Sequence, residues 1–149
     1  MSSFEAKRVI NGTHGAVWFN GSLVAEATGL EAKVKLNKAD VPICGRMSKQ
    51  QKVTDYEGSG TVKLNKVTSR FLKLLNDDMK ACKQTPVTII SKLADPDSYG
   101  AERVVLKDCI FDEMTLANWE AKKLGEESIP FTFTDWDLLD TIDPAVVGE

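Results

Sequence analysis

Histidine is almost missing from this sequence: His14 is the only one in 149 residues. A catalytic imidazole works with an orienting carboxylate and a nucleophile, and Gly12-Thr13-His14-Gly15 supplies neither locally, so His14 reads as a polar loop residue. Cysteine is scarce as well. Cys44, Cys82 and Cys109 are odd in number, widely separated, and without a CxxC pair or histidines at zinc-ligand spacing. They read as free thiols, not as a metal cage or disulfide framework. No apolar run approaches the roughly 18 residues of a membrane span, and the opening MSSFEAKRVINGTHGAVWF lacks the apolar core of a signal peptide. The expectation is a protein with no membrane partner, made in cytoplasm. Excess positive charge is also absent: the net charge of -3 argues against a dedicated nucleic-acid binder. There is no internal repeat or low-complexity tract.

Other motifs for chemistry are incomplete. Asp95, Asp97 and Glu102 lack the glycine and glutamate spacing of a calcium loop and read as turn chemistry around Asp95-Pro96-Asp97. Gly58-Ser59-Gly60 lacks the lysine and the strand-to-helix setting of a phosphate loop, and reads as a bulge or loop end. The lysines at 33, 35, 38, 49, 52, 63 and 66 have no interleaved aromatics for base stacking and read as solvated strand faces. No catalytic residue, metal site or cofactor is expected.

What is present is one domain's worth of chain, 1–149, with 42% hydrophobic and 28% charged residues, an ordinary soluble composition able to bury a single core. Ala16-Val17-Trp18-Phe19, Asn20-Gly21 and Leu23-Val24-Ala25 spell a hairpin, because an Asn-Gly pair accepts the positive φ of a type I′ turn. Leu30, Ala32, Val34 and Leu36 alternate with Glu31, Lys33, Lys35 and Asn37, predicting a strand with one packed and one wet face. From about 40 to 60 the alternation breaks, predicting a long loop. Thr68 or Ser69 then caps a helix reaching Ala81 or Cys82, with Phe71, Leu72, Leu74, Leu75, Met79 and Cys82 as its apolar stripe.

Further strands are predicted at 87–93, 103–111, 113–122 and 129–134. In 103–111, Val104, Leu106, Asp108 and Ile110 share one face. Pro130 belongs at a strand start, an edge or a bulge. Residues 143–149 form a short tail expected to fray. The fold class is mainly β: two packed antiparallel sheets, as a sandwich or partly open barrel, with one flanking α-helix. Phe131 and Phe133 read as core, whereas Trp136, Leu138 and Leu139 follow no alternation and could serve either core or interface.

The wording between 91 and 140 adds a resemblance. Asp95-Pro96-Asp97-Ser98-Tyr99-Gly100-Ala101-Glu102-Arg103, Thr115-Leu116-Ala117-Asn118-Trp119-Glu120 and Pro130-Phe131-Thr132-Phe133-Thr134 resemble the tail tube proteins of contractile-tailed phages of Gram-positive bacteria, PBSX-type defective prophages included. Asn11-Gly12-Thr13 and Lys66-Val67-Thr68-Ser69-Arg70 extend the likeness. The resemblance implies a non-enzymatic subunit of an inner tail tube, built of stacked hexameric rings whose lumen passes DNA. It implies as partners further copies of the chain, the sheath, baseplate and tail terminator proteins, and transiently the tape measure protein and DNA. Assembly would occur in the host bacterial cytoplasm and end in a virion tail or tail-like particle. By that analogy Val41, Ile43 and Met47 contact the next ring, while residues 1–10 and Trp136, Leu138 and Leu139 contact neighbouring subunits. The competing reading is a monomeric β-barrel that binds a small ligand or nucleic acid.

Overall fold

A computed structural model describes residues 5–143; the tail at 144–149 and the first four residues lie outside the described residues. Among the described residues the chain is mainly β and antiparallel, with one α-helix. β1 (Gly15–Phe19) and β2 (Ser22–Leu23) form the expected hairpin. Asn20 and Gly21 take φ of +50° and +87°, the two positive values of a type I′ turn. Asn20 also exchanges hydrogen bonds with the Thr88 backbone at 2.9 Å, which docks the turn on β5 (Val87–Leu93).

β3 (Ala27–Val41) and β4 (Gln50–Asn65) are the longest elements, 15 and 16 residues paired from Ala27↔Leu64 to Val41↔Gln50. The loop expected at 40–60 is therefore only 42–49, and the rest is strand. Residues 51–57 are exposed on both faces, so no buried face imposes the period-2 pattern by which strands are recognised. Gly58 and Gly60 are regular strand positions, not a bulge. A Cβ on Gly58 would lie 2.5 Å from the Phe133 ring, and one on Gly60 would lie 2.4 Å from the Glu31 carbonyl oxygen and 2.6 Å from Phe131.

The helix α1 (Arg70–Lys80) lies where predicted. The Thr68 hydroxyl oxygen accepts from the Arg70 N–H at 3.3 Å, while Ser69 makes no side-chain cap. Phe71 and Leu75 are buried and Met79 half-buried, the inner part of a stripe recurring every four residues. The Arg70 guanidinium reaches Glu26 at 3.2 Å and the Leu23 carbonyl at 3.4 Å, tying the helix start to the β2–β3 corner.

β6 (Glu102–Phe111), β7 (Glu126–Phe133) and β8 (Asp135–Asp140) complete the sheet. The strands form one hydrogen-bonded path, β2-β1-β5-β6-β7-β4-β3, with β8 on β6. The division into two sheets expected from the sequence becomes a change of partner along β6, whose first part pairs with β5 and β8 and whose end pairs with β7 through Ile110↔Thr132 and Phe111↔Phe131. Asp108, at φ +54°, marks the change. Because of that irregularity Leu106, Cys109 and Phe111 are the buried residues, so the unbroken alternation expected for 103–111 switches face midway. Burial pushes the Cys109 thiol up to about 11, keeping it protonated and inert. Cys44, Cys82 and Cys109 are all free.

Pro130 sits within β7, not at its start. Its carbonyl accepts from the Asp112 N–H at 3.0 Å, so its missing N–H lies at the very end of the β6–β7 ladder, where a single bond at most is lost. The strand expected at 113–122 does not form. Residues 112–125 leave the sheet, because β5 on one side and β7 with β8 on the other already occupy the edges of β6.

Candidate assembly surface

Three parts of the fold stand out as unsatisfied in a single subunit. The first is the far half of the β3–β4 ribbon. Cross-strand pairs put Leu30, Ala32, Val34 and Leu36 on one face with Val62, Gly60, Gly58 and Tyr56, and Glu31, Lys33 and Lys35 on the other. The apolar face was expected to be packed, but only its root is: Val62 is fully buried whereas Val34 and Leu36 are exposed. The ribbon has run past the domain's own core. At its tip Val41 and Ile43 are 39% and 44% exposed and Met47 is wholly exposed, and none of the three belongs to the core.

The second part is β8. Its alternation is masked by a register shift beside Val104, which leaves Leu139 out of the pairing between Leu138 and Asp140. Trp136 is half-buried against Phe133 (6.3 Å between ring centroids) and Tyr56 (5.4 Å), while Leu138 and Leu139 are exposed. Within the subunit Trp136 thus has one side packed on these rings, whereas Leu138 and Leu139 face outward. The sequence reading missed Tyr56, whose hydroxyl donates to the Thr134 carbonyl at 2.8 Å and pins the ribbon root. On the opposite face of β8, Asp137 pairs with Lys107, and this hydrogen bond and charge hold the Lys107 amine above its usual range.

The third part is the 112–125 excursion, which exposes Leu116, Trp119 and Leu124. None of the three parts brings together groups suited to a reaction. Among the described residues there is no cluster of His, Cys, Asp or Glu able to hold a metal ion, and no helix is long and apolar enough to cross a membrane. A cleft of about 730 Å³ lies at the open seam between β1, β5 and the start of β3, lined by residues such as Thr13, Val17, Val24, Leu30 and Leu93. The lysines read as solvated strand faces are spread along the ribbon, and Lys66 leaves it to meet buried Glu127 at 2.6 Å.

Asp95 does turn chemistry, as expected, and more. Its carboxylate accepts from the Asp97 N–H at 2.9 Å and from the Asn11 N–H at 2.8 Å, while Arg8 lies over the Tyr99 ring and donates to the Asp97 carbonyl. The described part of the N-terminal segment is thus held on its own subunit. The two backbone bonds hold the Asp95 carboxyl below its ordinary 3.8. The folded state then takes up the proton at lower pH than the unfolded chain, so this stabilisation is complete above pH ~4 and is lost as pH falls through the lower folded value. In an NMR pH titration the Asn11 and Asp97 amide signals should move together with a midpoint below 3.8. A midpoint at or above that value would remove the assignment.

Comparison with known proteins identifies the family. The family described as phage tail tube protein matches residues 2–140. The Phage-like element PBSX protein XkdM of Bacillus subtilis (strain 168) is 36% identical over 138 residues, 91% of this chain and 94% of that protein. The chain belongs to the phage tail tube protein family, with a PBSX-type prophage protein among its relatives. At the level of fold it is similar to a chain in the tube-terminating cap of the anti-feeding prophage, with TM-score 0.71 and 9% identity over 93% of this chain and 96% of that one. It is likewise similar to a chain in the sheath-tube complex of an extracellular contractile injection system, with TM-score 0.66 and 8% identity over 93% of this chain and all of that one.

Proposed function

We propose that this chain is the non-enzymatic structural subunit of the inner tube of a contractile phage tail or tail-like particle, its copies forming stacked hexameric rings whose lumen passes DNA. The observation that carries the reading is the β3–β4 ribbon, whose apolar face continues from the buried core to exposed Val34 and Leu36, and whose tip exposes the apolar residues Val41, Ile43 and Met47. A lone domain gains nothing from such a ribbon, whereas a polymer covers it with the next copy. The tip residues contact the next ring, and Trp136, Leu138 and Leu139 border a neighbour in the same ring. Sheath, baseplate and tail terminator proteins are the outer and end partners. Tape measure protein and DNA occupy the lumen in turn, and a hydrophilic bore of low positive charge lets DNA slide without being bound. Assembly takes place in the host bacterial cytoplasm before the particle is released.

The test is electron microscopy and light scattering of the purified protein at high concentration, alone and with sheared tails of the parent particle as nuclei. Six-fold rings or tubes are expected in at least the seeded sample. A monomer under both conditions overturns the reading in favour of a monomeric binding barrel, for which the seam cleft would be the ligand site.

A further inference from the structure

Two Asn-Gly pairs occur in the sequence, Asn11-Gly12 and Asn20-Gly21, and the fold treats them differently. In the hairpin, the Asn20 side-chain oxygen accepts from the Thr88 N–H at 2.9 Å while the Asn20 N–H donates to the Thr88 carbonyl at 2.9 Å, so its carboxamide is held against another strand. Asn11 is exposed, and its side-chain oxygen accepts instead from the N–H of Thr13, two residues further on, at 3.0 Å. Such an Asx turn folds the carboxamide back over the intervening peptide, here the Asn11–Gly12 bond.

A carboxamide so placed is open to attack by the nitrogen of the next residue, and glycine there offers no side chain to obstruct the approach. Four features around Asn11 favour that attack. The Thr13 N–H sits on the oxygen that turns negative when Cγ becomes tetrahedral, the position of an oxyanion donor. The Asn11 carbonyl accepts from the His14 N–H at 3.2 Å, which draws electrons from the Asn11–Gly12 peptide and makes the Gly12 N–H more acidic. The space that a Gly12 Cβ would face holds no heavy atom within 4 Å. The Asn11 N–H is fixed on the Asp95 carboxylate at 2.8 Å, so the residue is anchored on its N-terminal side while its side chain is free to react.

We propose that Asn11 is a self-modification site, converted without enzyme or cofactor to aspartate and isoaspartate. The Gly12 nitrogen gives its proton to water and bonds to Cγ of Asn11; the Cγ–Nδ2 bond breaks and ammonia leaves, closing a succinimide. Water then opens the ring, at Cγ to leave aspartate or at the α-carbonyl to leave isoaspartate, whose main chain runs through the former side chain. Either product puts a new carboxylate beside Asp95, which binds the N–H of the same residue. Like charges at that distance repel, so Asp95 loosens its hold and the strap from Arg8 to Asn11 lets go of the 95–100 turn. Asn20 reacts only when its turn undocks from β5, and its rate falls with the fraction of time that it is open.

The test is to hold the folded protein at mildly alkaline pH beside the same protein in urea, and to follow both by peptide mass spectrometry, with isoaspartyl methyltransferase reporting isoaspartate. In urea the two Asn-Gly pairs should convert at similar rates, whereas in the folded protein Asn11 should convert at least about 10-fold faster than Asn20. Gly12→Ala should slow conversion at Asn11 by about 10-fold and leave thermal melting unchanged. Asn11→Asp, which copies one product, should raise hydrogen exchange across residues 8–11 by about 10-fold. Asn20 converting as fast as Asn11 in the folded protein, or Asn11 inert when folded yet reactive in urea, overturns the proposal. A strap as protected in Asn11→Asp as in wild type overturns its release.

Discussion

A subunit carrying Val41→Asp and Ile43→Asp should fold normally and fail to grow tubes. Both residues sit where the β3–β4 ribbon turns, 39% and 44% exposed, and Met47 on the same tip is fully exposed. Substitutions at such sites change stability by about 0.5 kcal/mol or less, because neither residue belongs to the core. In a stacked tube the same positions are apolar anchors in a desolvated contact, and truncating an anchor there costs upwards of 1 kcal/mol. Aspartate adds the cost of enclosing an unpaired carboxylate. At about 1.4 kcal/mol per tenfold, two such changes raise the concentration needed for assembly by a factor of about 100 or more. Circular dichroism and thermal melting should match wild type, while seeded light scattering should stay flat. Tubes of normal length from this variant would show that the tip does not join rings.

The same ribbon explains what the sequence could and could not reveal. α1 was legible because Phe71, Leu75 and Met79 repeat at helical spacing against a core, and the first hairpin was legible because Asn20-Gly21 demands positive φ. Periodicity in sequence is an imprint of one-sided burial. Where burial is two-sided or missing the imprint fades, as in residues 51–57, exposed on both faces. Irregularities erase it too: Asp108 turns β6 over, and the unpaired Leu139 interrupts β8. The 113–122 segment failed for another reason, since strand formation needs a vacant partner edge and β6 had none. For the surface, the sequence marked Val41, Ile43, Met47, Leu138 and Leu139 as apolar residues out of pattern, and all are exposed. It did not show that Tyr56 and Trp136 meet, because 80 residues of chain separate them and only the fold closes the distance.

The contact that makes the ribbon part of the domain should respond to substitution in a characteristic way. Phe19, Phe71, Phe111, Phe131, Phe133, Trp136 and Tyr56 form an unbroken file from helix to ribbon root, each ring 5.2–6.3 Å from the next. Phe133 is 4% exposed and lies over Gly58. Phe133→Ala should cost about 3–5 kcal/mol, a large part of the roughly 5–15 kcal/mol by which domains are stable. Gly58→Ala should cost about 1–3 kcal/mol by overpacking, since the three atoms nearest its Cβ would all belong to the Phe133 ring. The pair should therefore be non-additive in urea unfolding: once Phe133 is alanine, the methyl at position 58 enters vacated space and its cost disappears. Gly60 supplies the contrast. Its Cβ would strike the Glu31 carbonyl as well as Phe131, and a backbone oxygen does not leave when a ring is removed. Gly60→Ala should stay costly in a Phe131→Ala background, and equal behaviour of the two pairs would contradict this placement of β4 between β3 and β7.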